Sequence, residues 1–86
     1  MKVLIPSPLH AYTQGQRWVN AHGDSLAAVL DDLDRQFPGI RFRMVDEQGR
    51  ARPHMRIFVN GAAVFDLSMA LRDTDEVGIV QALSGG

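Results

Sequence analysis

The segment DSLAAVLDDLDRQFPG, residues 24–39, decides how the rest of this 86-residue chain is arranged. Leu26, Val29, Leu30, Leu33 and Phe37 recur at the i, i+3, i+4, i+7, i+11 spacing that lines one side of an α-helix. Asp24 or Ser25 stands where a side-chain oxygen caps a helix N-terminus. Phe37-Pro38-Gly39 ends the helix, because proline disfavours helical geometry in the residue before it and glycine accepts a left-handed exit. Asp31, Asp32 and Asp34 fall off the apolar stripe and read as its wet face. One helix cannot bury such a stripe alone, so it must lie on a sheet.

The flanking segments supply that sheet. Upstream, KVLI (2–5) reads as an opening strand and QRWVNAH (16–22) as a second, with Arg17, Val19 and Ala21 on one side and Trp18 and Asn20 on the other. TQG between them suits a hairpin loop, with Gly15 available for positive φ. Downstream, IRFRMVDEQGRARPHM (40–55) is mixed, with a turn at DEQGR. RIFVNGAAVFD (56–66) is a strong hairpin signal, since Asn60-Gly61 is the pair a type I′ turn demands. LSMALRDTDE (67–76) reads as one helical turn and a loop before the last strand, VGIVQAL (77–83). The first and last strands are apolar on both faces, as central strands are, and are read as central and parallel. The order strand, strand, helix, strands is α+β, that of the β-grasp or ubiquitin-like fold. The expectation is a mixed sheet of four to five strands with one main helix across one face, residues 1–82 forming the domain and residues 83–86 a flexible tail.

Composition narrows the chemistry. Cysteine is absent, which removes disulfides, thiolate nucleophiles and Cys-ligated metals together. His10, His22 and His54 lack ligand spacing, so no metal is expected. Ser7, Ser25, Ser68 and Ser84 have no base and acid nearby in sequence, the glycines form no phosphate loop, and no pair of carboxylates declares itself catalytic. No enzyme of its own is expected. The start is too short for a secretory segment and nothing reaches membrane-spanning length, so the reading is cytoplasmic, with no membrane partner.

The net charge is −1, but it is unevenly spread. Residues 41–56 carry five arginines against Asp46 and Glu47, while residues 57–86 carry Arg72 against Asp66, Asp73, Asp75 and Glu76. The arginine group reads either as a solvated edge or as a dock for an acidic surface or nucleic acid. Phe42 is the only aromatic among those arginines, which leaves a base-stacking platform unsupported. No nucleic-acid partner is therefore expected. Lys2 is the only lysine.

The close, Leu83-Ser84-Gly85-Gly86, is the unusual feature. Two terminal glycines leave a carboxylate unhindered, and four extended residues span about 13 Å. Such a tail can thread a carboxylate into a narrow channel in another protein.

Together with this tail, IPSPLHAYTQGQ, GDSLAAVLDDLDRQFPGI, IFVNG and LRDTDEVGIVQALSGG occur in an order that resembles the ThiS/MoaD family of ubiquitin-like sulfur carriers, most closely its longer cysteine-biosynthetic members. The resemblance implies a β-grasp fold and a carrier mechanism. An E1-like adenylyltransferase/sulfurtransferase adenylates the terminal carboxylate with ATP, a sulfur donor makes the thiocarboxylate, and a downstream synthase receives the sulfur. The carrier binds no cofactor itself and is a monomer when free. Carried over by position, Gly86 holds the reacting carboxyl, with Gly85, Ser84 and Leu83 threading behind it. Phe58, Val80 and Ala82, facing away from the helix, are expected to dock partners together with Arg52 and Arg56. The alternative for Phe58 is the core. Thr74 and Gln81 depart from the family pattern, in which glycine and proline are usual. Other readings of the tail are a ubiquitin-like modifier joined to target lysines through Gly86 and an adaptor for which the diglycine is incidental.

Overall fold

The computed structural model describes residues 1–82. Strands β1 (Lys2–Leu4), β2 (Trp18–Asn20), β3 (Met55–Val59), β4 (Ala62–Val64) and β5 (Val77–Gln81) form one sheet in the order β2-β1-β5-β3-β4. β1 and β5 run parallel and every other pair antiparallel. The two strands that are apolar on both faces thus lie inside the sheet. Helix α1 (Leu26–Gln36) supplies the residues that cover one face.

The helix forms where its spacing requires. Leu26, Val29, Leu30 and Leu33 are completely buried, against Val3, Val19, Ile57, Val59, Val77 and Ile79 of the sheet. Ser25 is the cap, its Oγ accepting from the Ala28 N–H at 3.1 Å. Phe37 sits at the C-cap and is half-buried, and Gly39 follows with φ +96°. The hairpin between β3 and β4 turns at Asn60 (φ +51°) and Gly61 (φ +85°), the left-handed pair of a type I′ turn.

Three segments differ from the sequence reading. Residues 5–17 are a compact excursion rather than a simple hairpin loop. It opens with a 3₁₀ turn at Ser7–Leu9, and its fully buried Thr13 donates from Oγ1 to the Gln16 carbonyl at 2.7 Å. Gln14 and Gly15 both take positive φ, and the Ile5 N–H to Arg17 carbonyl bond closes the excursion. Residues Ile40–Met44, read as mixed, form a short second helix, α2, whose Ile40 and Met44 are buried one turn apart. Residues 67–76 contain no helical turn. They form a strap across the N-terminus of α1: the Leu67 and Met69 carbonyls accept from Ala27 and Leu26, and Leu71 N–H donates to the Asp24 carbonyl. The strap takes up amide donors that a helix N-terminus leaves free, which local helix formation in the strap itself could not do.

Gly23 shows how closely this junction is packed. A Cβ there would stand 2.6 Å from the Val29 backbone nitrogen, so only glycine lets the chain pass the first turn of α1.

Candidate functional site

Among the described residues no helix lies over the second face of the sheet. Strand pairing places Trp18 opposite Leu4, Leu4 opposite Gly78, Gly78 opposite Phe58 and Phe58 opposite Ala63. One apolar row therefore crosses all five strands, and in the neighbouring row Val80 stands opposite Arg56. Trp18 and Val80 are 42% and 43% exposed, which marks this as a free surface rather than a second core. Phe58 and Leu4 are half-buried, and Gly78 lets the row dip at its centre, where an added Cβ would meet only the Phe58 Cβ at 4.0 Å. The Lys2 ammonium lies 5.7 Å from the Trp18 ring centroid, a cation–π contact at the margin of the row.

Phe58 and Val80 thus share the face that the alternation pattern assigned to them, and Arg56 lies on it beside Val80. Ala82 continues it, half-buried, with its N–H donating to the His54 carbonyl at 2.7 Å. Arg52 stands apart from these residues. Its guanidinium covers the Phe42 ring at 4.5 Å and its Nε donates to the Phe42 carbonyl at 2.7 Å. Trp18, Leu4, Gly78 and Ala63 are the members of the row that the sequence reading did not nominate. Their alternation and the two hairpins were legible, and the pairing of β3 with β5 that completes the row was not. Leu83, Ser84, Gly85 and Gly86 lie outside the described residues.

The acidic turn before β5 is structural. Asp75 Oδ2 accepts from the Arg72 N–H at 2.8 Å and Oδ1 from Asn60 Nδ2 at 2.9 Å, while the Glu76 N–H donates to Asn60 Oδ1 at 2.9 Å. The Arg72 amide, then the Asn60 amide, hold the Asp75 carboxyl below the usual carboxylate range. These bonds tie the start of β5 to the β3–β4 hairpin and so fix the line along which the chain runs to Ala82. Thr74 occupies the turn without disturbing these bonds.

Two clefts flank the point at which the chain leaves β5. One, about 970 Å³, is lined by Ile5, Pro6, His10, Arg17, His54 and Ala82 among others; the second, about 480 Å³, by Tyr12, Phe42, Arg43, Arg52, His54 and Gln81 among others. Neither holds a grouped nucleophile, base and acid. Among the described residues no three His, Asp or Glu side chains group as metal ligands, and no helix is long and apolar enough to cross a membrane.

Known proteins with this architecture agree with it. The ThiS family model matches residues 3–86. The sulfur carrier protein CysO of Mycobacterium tuberculosis is 38% identical over 89 residues, covering 98% of this chain and 96% of the relative. A crystal structure of that organism's CysO, described as an antigen, superposes with a TM-score of 0.89 at 37% identity, covering 95% of this chain and 98% of the other. A chain of the BexX/CysO complex of Amycolatopsis orientalis superposes with a TM-score of 0.90 at 30% identity, covering 99% and 98%. The small archaeal modifier protein SAMP1 of Methanosarcina acetivorans does so at 0.79 and 26% identity, covering 99% and 94%. A five-stranded mixed sheet grasping one main helix, a family match that includes the diglycine, and near-full-length identity to a sulfur carrier converge: the chain is a β-grasp, ubiquitin-like member of the ThiS family of sulfur carriers.

Proposed function

We propose that the Gly86 carboxylate is the working group of this carrier. Its oxygen attacks the α-phosphorus of ATP in an E1-like partner, pyrophosphate leaves, and the chain becomes an acyl-adenylate. A sulfide-level donor then adds to the carbonyl carbon and expels AMP, leaving a thiocarboxylate that delivers sulfur to a biosynthetic synthase. Charge and bonds balance without any side chain of the carrier, which suits a protein with no clustered nucleophile, base and acid among the described residues. The observation that carries the reading is the family match through the diglycine, together with the 38% identity to a named sulfur carrier.

In this proposal the row from Trp18 to Ala63 docks against the partner, with Phe58, Val80, Ala82 and Arg56 on the same side. Leu83, Ser84 and Gly85 then span the distance from Ala82 to the nucleotide, and glycine leaves the carbonyl carbon open to addition of the sulfur donor. The requirement is that the working chain end at Gly86.

The test is mass spectrometry of the intact protein after incubation with its adenylyltransferase, ATP and sulfide. The expected result is a C-terminal peptide heavier by the difference between sulfur and oxygen. An unchanged peptide with an active partner rejects the proposal. A second reading, a protein modifier joined through Gly86 to lysines, draws support from the similarity to SAMP1; Gly86-linked adducts in lysate would favour it. Removing Gly85 and Gly86 abolishes both acyl-transfer roles, whereas an adaptor of the same fold keeps its activity.

A further inference from the structure

We propose that the end of the molecule around the root of the tail is a cationic collar that docks on an acidic rim around the mouth of the partner's adenylation channel. The proposal rests on the sulfur-carrier reading above and names the surface chemistry of the partner.

The collar is assembled by topology. β1 and β5 are parallel, so their C-terminal ends emerge together. The Ile5 to Arg17 backbone bond brings the start of β2 to this end on one flank. On the other flank, Met55 pairs with Gln81 and the His54 carbonyl holds the Ala82 N–H, which brings residues 52–56 alongside. One cleft beside the chain exit accordingly contains His10, Arg17 and His54, and the other contains Arg43, Arg52 and His54, with Asp46 and Glu47 as its acids.

No ion pair among the described residues engages Arg17, Arg43, Arg52 or Arg56, though the Arg52 charge helps to hold the Asp46 carboxyl low. Among the described residues the ion pairs engage Arg35, Arg41 and Arg50, with Asp32, Asp31 and Asp46 respectively. Arg43, Arg52 and Arg56 instead donate to neutral oxygens, of Tyr12, Phe42 and the Pro53 and Met55 carbonyls. Asp46 is already engaged by Arg50 and by the backbone amides of Gln48 and Arg50.

At the far end of the sheet the charges balance instead: Asp73, Asp75 and Glu76 lead into β5, and Arg72, Lys2 at the start of β1 and the N-terminal ammonium, bound to the Ala21 carbonyl, stand with them. In a chain of net charge −1 the excess of positive charge thus gathers at the end where β5 finishes. A field of that shape orients the carrier during approach. It also offsets the repulsion that a lone carboxylate meets on approaching a nucleoside triphosphate. Nucleic acid fits less well, since the Phe42 ring is already covered by the Arg52 guanidinium and the protein as a whole is anionic.

The experiment measures association rates of the full chain with its ATP-loaded adenylyltransferase at about 20 mM and about 300 mM salt, which spans weak to strong screening. The combined Arg17→Glu, Arg52→Glu and Arg56→Glu variant should associate at least about tenfold more slowly than wild type at low salt, and the two should converge at high salt. The same three positions changed to lysine should retain a rate within about threefold, since steering needs charge rather than the guanidinium fork. Asp73→Lys, at the far end, should lose nothing. Equal rates for the glutamate variant and wild type overturn the proposal, as does an equal loss in the lysine variant. Binding of a 20-mer oligonucleotide probe that the glutamate variant loses overturns it in favour of nucleic acid. Rates are read separately from sulfur gain. A wild type that associates in this pattern yet forms no thiocarboxylate keeps the collar and rejects the adenylation chemistry.

Discussion

The two faces of the sheet differ in their side chains and serve opposite ends: one buries only apolar side chains, while the other sets Lys2, Asn20 and Arg56 beside Leu4, Trp18, Phe58 and Val80. On β3, Met55, Ile57 and Val59 point toward α1 and are at least 96% buried, whereas Arg56 and Phe58, alternating with them, face the side that no helix covers. The helix-facing surface is closed by interdigitation with Leu26, Val29, Leu30 and Leu33, so its energy resides in the fold. The open surface spends little on the fold and keeps Trp18 and Val80 available. In a domain of 86 residues, where core area is scarce, leaving an apolar row uncovered is best explained by an intermolecular use.

That contrast can be broken most directly with neighbouring residues. Ile57→Ala removes a buried side chain against α1 and should cost about 2–5 kcal/mol in chemical denaturation, with partner affinity unchanged under conditions where the variant stays folded. A loss under about 1 kcal/mol would mean that the helix-facing side is not the stabilising one. Val80→Ser acts on the other side. Stability should stay within about 0.5 kcal/mol of wild type, as at exposed sites generally, while affinity for the adenylyltransferase falls measurably in titration calorimetry. If stability drops and affinity does not, the assignment of the two faces is reversed.

The smallest effect concerns neither face. Asp32, Asp46, Asp66 and Asp75 have lowered pKa values, caused chiefly by the His22 amide, the Arg50 amide, the Ser68 hydroxyl and the Arg72 amide respectively. A carboxylate whose folded pKa is depressed adds stability that is fully present above its unfolded value, near 3.8 for these groups, and is lost as pH falls through the folded pKa. Unfolding monitored by circular dichroism should therefore show these four contributions undiminished from neutral pH to just above that value, then declining with further acidification. Asp75→Asn should blunt the acid-side decline. A variant as acid-sensitive as wild type would show that the Asp75 bonds to Arg72 and Asn60 do not contribute.

Some elements were legible because their cause is local. The Leu26 to Leu33 stripe, the Ser25 cap and the Asn60-Gly61 turn each depend on residues a few positions apart, and each stands where its pattern placed it. Residues 40–44 were not legible in the same way. Ile40, Phe42 and Met44 alternate with Arg41 and Arg43, a period that suits a strand, yet burial of Ile40 and Met44 one turn apart makes the segment helical and leaves Phe42 57% exposed. The strap at 67–76 was read as partly helical because Leu67 to Leu71 carry good helix formers. Its backbone instead serves the first turn of α1, a partner forty residues away in the chain.

The division for the candidate site follows the same rule. Alternation along single strands was enough to assign Phe58 and Val80 to one side and Ile57 and Ile79 to the other, because side-chain direction is set by the two-residue pleat alone. The pairing of β5 with β3 was a matter of tertiary structure. Only the order β2-β1-β5-β3-β4 lines up Trp18, Leu4, Gly78, Phe58 and Ala63, and the parallel pairing of β1 with β5 together with the pairing of Met55 with Gln81 gathers Arg17 and Arg52 around one chain exit. The longest of these pairings, Leu4 with Gly78, joins residues 74 positions apart, and whether such segments meet is decided by closing a shared core, a global free-energy balance that no short window of sequence records.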